Sequence, residues 1–207
     1  MTPRSPVTRK PWSCFAVWVP AWAKPTCCKR LATCNNSAKT MTPRDERDAA
    51  LASYAQALEL FRSVGDRLGE ANVLKAIGDV QQFRKDNDAA LASYAQALEL
   101  FRSVGDRLGE ANVQLAFGSI RRGERNLGEA RKHFDLAIKA YCDIGDGYSQ
   151  ARVLYRLGDC FADEEKWQDA IQSYRQAEHI WKSIGLDELV AQILSPRIEQ
   201  AQKHLGG

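Results

Sequence analysis

Residues 88–113 read DAALASYAQALELFRSVGDRLGEANV, and residues 48–73 read the same, letter for letter. The two copies start 40 positions apart. A diverged copy follows at that spacing, LGEARKHFDLAIKAYCDIGDGYSQARV at 127–153, and a fourth opens at Trp167 with WQDAIQSYRQAEHIWKSIG. Self-similarity at a fixed period of about 20–50 residues marks an array of small supersecondary units.

Each period divides into two helical stretches. In 88–104, Leu91, Tyr94, Leu98 and Phe101 recur at steps of three and four, so they share one helix face. The Ala, Leu, Glu and Gln between them are good helix formers. Gly105 closes that stretch, as Gly65, Gly145 and Gly185 close theirs, and glycine suits the left-handed position just past a helix end. Asp66, Asp106 and Asp146 follow, where an aspartate caps the free N–H groups of the next helix. The next stretch, 107–122, gathers Leu108, Ala111, Leu115 and Gly118 on one side. The unit is a helical hairpin, which buries its apolar face only by stacking on a neighbour.

Small residues recur at fixed places in these hairpins: Gly78, Gly118 and Gly158 in the first helix, then Ala90, Ala130 and Ala170, and Ala97, Ala137 and Ala177, in the second. An aromatic residue sits between the alanines, at Tyr94, Phe134 and Tyr174. This pattern resembles the tetratricopeptide repeat (TPR), with leucine-glycine in helix A and alanine, aromatic, alanine in helix B. The match covers about 47–186 and holds in three successive repeats. The period of 40 exceeds the family's usual ~34, which lengthens each hairpin by about one and a half turns. The family's helix-ending proline is replaced by Arg102, Cys142 and Lys182, and Gln81 stands where a helix A tyrosine is common. HEAT-like repeats share the period but lack the alanine–aromatic–alanine signature. The resemblance implies an all-α fold, a TPR-like α-superhelix. It would comprise a lone helix B from residue 47, hairpins at 67–104, 107–144 and 147–184, and a polar capping helix at 187–207. Pro196 is expected to kink that last helix near Ser195.

The first 46 residues belong to none of this. Residues 1–44 hold eight basic residues and no Asp or Glu, six of the seven prolines, four of the six cysteines and three of the five tryptophans. The remainder carries 21 Lys and Arg against 26 Asp and Glu, so the overall charge of +3 conceals a net acidic repeat region. MTPR occurs at residue 1 and again at 41, at the repeat period. Back-translated with free third bases and read one frame over, 1–44 spells DAALASYAQALELFRSVGARLGEANVLQAIGDVQQLRKDNDAA. That string differs from residues 48–90 at three of 43 places. Cys27 and Cys28, for example, are GTG CTG read as TGC TGC. The segment 1–46 is therefore expected to be an out-of-frame repeat without a stable fold, and its cysteines to be no metal site. Either the start codon is misassigned or the DNA carries a frameshift near 44–47. The chain is then expected to be the C-terminal part of a longer repeat protein.

Catalytic chemistry is sparse. His133, His179 and His204 stand alone, and Cys142 and Cys160 read as single packing thiols in a reducing compartment. No phosphate-binding glycine loop, no GxSxG and no HExxH occurs. No apolar run approaches the ~18 residues a membrane helix needs, and the net acidity of the repeats speaks against nucleic acid. The expectation is a cytoplasmic, non-enzymatic protein with no cofactor and no metal.

The TPR resemblance implies a concave groove lined by helix A. Counting from Gly78, Gly118 and Gly158, its side chains would be Asn72, Lys75, Asp79 and Gln82; Asn112, Leu115, Ser119 and Arg122; Arg152, Tyr155, Asp159 and Ala162. Asparagine and glutamine can bond a peptide backbone in both senses. Arg122 and Arg152 can fork onto a carboxylate, and Tyr155 offers rigid apolar area. The same side chains also suit a merely solvated helix face. The family's lysine–asparagine clamp for a C-terminal carboxylate is not reproduced, since Asp79 and Asp159 stand where asparagine is needed. The implied function is a scaffold binding a peptide or partner protein in that groove. The alternative is a regulatory or sensor segment of a larger signalling enzyme. Self-association is expected through the uncapped apolar face at 47–64.

Overall fold

The computed structural model describes residues 43–205; residues 1–42, with Cys14, Cys27, Cys28 and Cys34, on which the expectation of an out-of-frame repeat rests, lie outside it. Eight helices follow in order: α1 (Pro43–Val64), α2 (Arg67–Phe83), α3 (Asn87–Val104), α4 (Arg107–Gly123), α5 (Leu127–Ile144), α6 (Gly147–Asp163), α7 (Trp167–Ser183) and α8 (187–205). No strand occurs among the described residues. The chain is an all-α, TPR-like solenoid. The closest pairings are α2 with α3, α4 with α5 and α6 with α7, and each hairpin also packs on the next.

Local chemistry sets the helix ends. Asp66, Asp106 and Asp146 cap α2, α4 and α6, accepting from the backbone N–H of Gly69, Gly109 and Ser149. Asp86 and Asn126 cap α3 and α5 in the same way, whereas Lys166 at the start of α7 makes no side-chain cap. Gly105 takes φ 74°, and the bond from Asp106 N–H to Phe101 C=O (2.9 Å) closes the helix end behind it.

Two contacts repeat along the array. Within a hairpin, the aromatic ring of helix B lies on the glycine of helix A: Tyr94 on Gly78, Phe134 on Gly118, Tyr174 on Gly158. A Cβ on any of these glycines would fall within 2.5–2.6 Å of the ring, so the close approach requires glycine. Between hairpins, Phe61 lies on Gly69 and Phe101 on Gly109. The cores are built from these rings and the alanines beside them, with Ala90, Ala97, Ala130, Ala137, Ala170 and Ala177 all buried.

At Pro196 the chain stays helical by widening. Val190–Leu194 forms a π turn in which Ser195 N–H reaches Val190 C=O. Proline offers no N–H to the turn before it. Arg197 Nη1 donates to the Ile193 carbonyl at 2.8 Å, supplying a side-chain partner in that disturbed stretch.

Candidate functional site

The first helices of successive hairpins touch along the array, α2 with α4 and α4 with α6. On α2, Asn72 is exposed. Lys75 Nζ lies 2.7 Å from Asp79 Oδ2. The hydroxyl of Tyr94 donates to Asp79 Oδ1 at 2.7 Å, with Gln82 Oε1 3.0 Å away. Three of the four expected groove residues of α2 thus form one cluster with a helix B tyrosine.

On α4 the four positions diverge. Asn112 accepts from the Tyr141 hydroxyl at 2.8 Å. Ser119 turns back to the Leu115 carbonyl at 2.8 Å. Leu115 is 8 % exposed and belongs to the core around Phe134 and Tyr141, so it is corrected from a groove residue to a packing residue. An apolar side chain at that place is drawn inward, whereas the equivalent Lys75 and Tyr155 keep partial exposure.

Arg122 leaves α4 and reaches α6. Its Nε donates to Asp163 Oδ2 at 2.7 Å, and its Nη1 lies 3.3 Å from Asp159 Oδ2. Asp159 Oδ1 also accepts from the Tyr174 hydroxyl (2.9 Å) and from Arg197 Nε (3.0 Å). One carboxylate thereby ties α4, α6, α7 and α8 together, and its side chain is 12 % exposed. Burial opposes the charge on Arg122, but Asp163 and Asp159 outweigh it and its pKa is raised. Burial, then the neighbouring aspartate, pushes the Tyr94 hydroxyl far up; burial and the charge of Asp159 do the same at Tyr174, so both remain donors. Arg122, Asp159 and Ala162, with Asp163, Pro196 and Arg197, border a cavity of about 500 Å³.

Sequence spacing pointed to Arg122 as a fork for a ligand's carboxylate; in the structure its fork is filled by the chain's own Asp159 and Asp163. Two arginines without an acidic partner among the described residues lie on α6. Arg152 stands over the Tyr148 ring at 5.9 Å and close enough to the Tyr141 hydroxyl to oppose its burial-raised pKa. Arg152 and Asn112 therefore meet around Tyr141. Arg156, one turn on, lies 5.8 Å from the Tyr155 ring. That ring also touches Arg197 (5.3 Å) and Trp181 (5.8 Å). Neither Arg152 nor Arg156 has an acidic partner among the described residues, and the Nε of each is buried without a hydrogen bond. Lys75, Arg122 and Arg197 are all paired. Arg156 was missed in the sequence. Its signal was the i, i+4 arginine pair RVLYR, which the count of groove positions passed over.

A second cavity of about 700 Å³ lies among α5, α6 and α7, with an apolar floor that includes Ile138, Leu154, Ile171 and Ile180. Buried Cys160 packs in the core, its thiol pushed up to about 12 by burial against a counteracting Arg122. His133 bonds Gln114 through Nδ1 at 2.7 Å and stacks on Phe117. Among the described residues no cluster of three or more His, Cys, Asp or Glu converges on a point, and no helix is long and apolar enough to cross a membrane.

A model of the family described as Tetratricopeptide repeat matches residues 31–103, and a second of the same description matches 153–181. No curated protein matches the chain. Among solved structures, BtubC (BKLC) from P. vanneervenii is 14 % identical, with a TM-score of 0.59 over 76 % of this chain and 71 % of that one. The apo form of RapI is 16 % identical, with a TM-score of 0.62 over 78 % of this chain and 47 % of that one. At these identities the likeness concerns the fold, and this chain spans about half the length of RapI.

Proposed function

This chain is a tetratricopeptide-repeat protein, and from that premise we propose that it is a non-enzymatic interaction scaffold whose first helices hold an extended, acidic peptide segment of a partner protein across α4 and α6. The observation that carries this reading is the pair Arg152 and Arg156. Among the described residues both guanidinium groups lack a carboxylate and each has a buried Nε without a partner, and each rests against a tyrosine. A guanidinium group without a carboxylate offers its forked N–H donors to an incoming carboxylate, and such a charge-assisted pair is stronger than a neutral bond. The tyrosines supply rigid apolar area beside the charge. Asn72, which has no helix B hydroxyl to bond because Phe101 replaces Tyr141 there, is available for a peptide backbone. Asp79, Asp159 and Arg122 hold the hairpins in register in this reading and serve the ligand only through that geometry.

The test is selection of random twelve-residue peptides against the full chain, followed by affinity measurement on R152A/R156A. Recovered peptides should carry a carboxylate. Loss of a charge-assisted bond is worth about 1.5–3 kcal/mol, so affinity should weaken at least tenfold while thermal stability stays within a few degrees. Peptides that bind wild type and variant alike would overturn the reading.

A further inference from the structure

Helix α1 repeats the sequence of α3 from Asp48 to Val64, yet the two helices are covered differently. Ala90, Tyr94, Ala97 and Phe101 of α3 are each 0 % exposed. Their counterparts Ala50, Tyr54, Ala57 and Phe61 are only half-buried, and Leu60 and Val64 stand 66 % and 74 % exposed. Since the residues are identical, the difference lies wholly in the neighbours. Helix α3 packs on α2 and on α4, whereas α1 packs on α2 as its one extensive described neighbour. The cover that no described residue supplies is therefore of known kind. In the finished hairpin it is a first helix carrying a glycine under the tyrosine ring, as Gly78 lies under Tyr94.

We infer that this face of α1 is the seat of a first helix of the same repeat, and that its occupant is the helix RLGEANVLQAIGDVQQL spelled in the other reading frame of the first 44 codons. The stacking contact is the one already made three times along the array, so the seat continues an established interface. The occupant brings its glycine in register with Tyr54, because it differs from α2 only where Lys75 becomes glutamine and Phe83 becomes leucine. Residues 1–44 contain no glycine, the residue that all three established contacts place against the ring. A second copy docking head to tail would offer α8, which carries no glycine between Asp187 and Leu205. The seat therefore fits the glycine-bearing helix of the repeat. This holds whatever the groove binds.

The test adds the synthetic peptide RLGEANVLQAIGDVQQL to the full chain and follows amide exchange across residues 50–61. In parallel, residues 1–44 are replaced by the other-frame sequence in a second chain. Both should slow exchange in α1 at least tenfold, and the second chain should unfold at higher urea. Changing the peptide's second glycine to leucine should abolish the protection. Three results would overturn the inference: α1 exchange unchanged in both arms; a full chain that sediments as a dimer with α1 already protected, which puts a second copy in the seat; or protection that disappears when residues 1–42 are clipped off.

Discussion

The Tyr94 hydroxyl lies 2.7 Å from Asp79 Oδ1, and the two residues flank the contact of Tyr94 on Gly78 that closes their hairpin. The same pair recurs as Tyr174 and Asp159 at 2.9 Å. In the middle hairpin both members change together, to Phe134 and Ser119. The hydroxyl and the carboxylate thus form one unit, present or absent as a whole. Tyr94→Phe should cost about 1 kcal/mol, and so should Asp79→Ser, because each removes the bond between the two residues. The double variant recreates the middle hairpin and should cost less than the two single changes added together. A double-mutant cycle in urea checks this, and strict additivity would refute the coupling.

One substitution should change sign with position along the array. Gly118→Ala drives a Cβ to within 2.5 Å of the Phe134 ring. Overpacking costs about 1–3 kcal/mol, which outweighs the ~1 kcal/mol that alanine gains in helix propensity. Gly128→Ala meets nothing within 4 Å and should stabilise by about 0.5 kcal/mol. Urea midpoints of the two variants should fall on opposite sides of wild type.

His133 should make the array less stable in mild acid. Burial lowers its pKa below 6.5 against the pull of Glu129, so the unfolded chain takes up the proton first. The stabilising contribution is complete above about pH 6.5 and is lost as the pH falls towards the folded value. The slope for one proton cannot exceed about 1.4 kcal/mol per pH unit. Urea midpoints from pH 7.5 to 5 should decline in wild type and decline less in His133→Gln; equal slopes would remove His133 from the explanation.

The two described thiols should differ in reactivity. Cys142 is exposed; Cys160 is buried and its thiol is pushed up to about 12. Thiolate is the reacting species, so iodoacetamide at pH 8 should modify Cys142 in the native protein and Cys160 only after unfolding. Peptide-resolved mass spectrometry would show it, and equal labelling rates would mean that the third hairpin opens readily.

The hairpin architecture was legible because it rests on local rules. Glycine at Gly105 and aspartate at Asp106 end one helix and begin the next through their own backbone and side-chain geometry. The spacing of Gly118 and Phe134 is repeated closely enough to be read as a contact. The expected groove was less legible. Its side chains were placed by counting from a glycine, and counting cannot tell whether a neighbouring repeat has already used the group. Arg122 is held by two aspartates on α6, and Asp159 by an arginine 38 residues away.

The sequence alone determined the repeat, its helical hairpins and the faces that pack, because each follows from periodicity and short-range chemistry. Tertiary structure alone decided which charges cancel, that Arg152 and Arg156 stay unpaired, and that two identical helices, α1 and α3, differ in burial. Pairing and burial are properties of neighbours brought together by stacking, and identical letters carry no record of them.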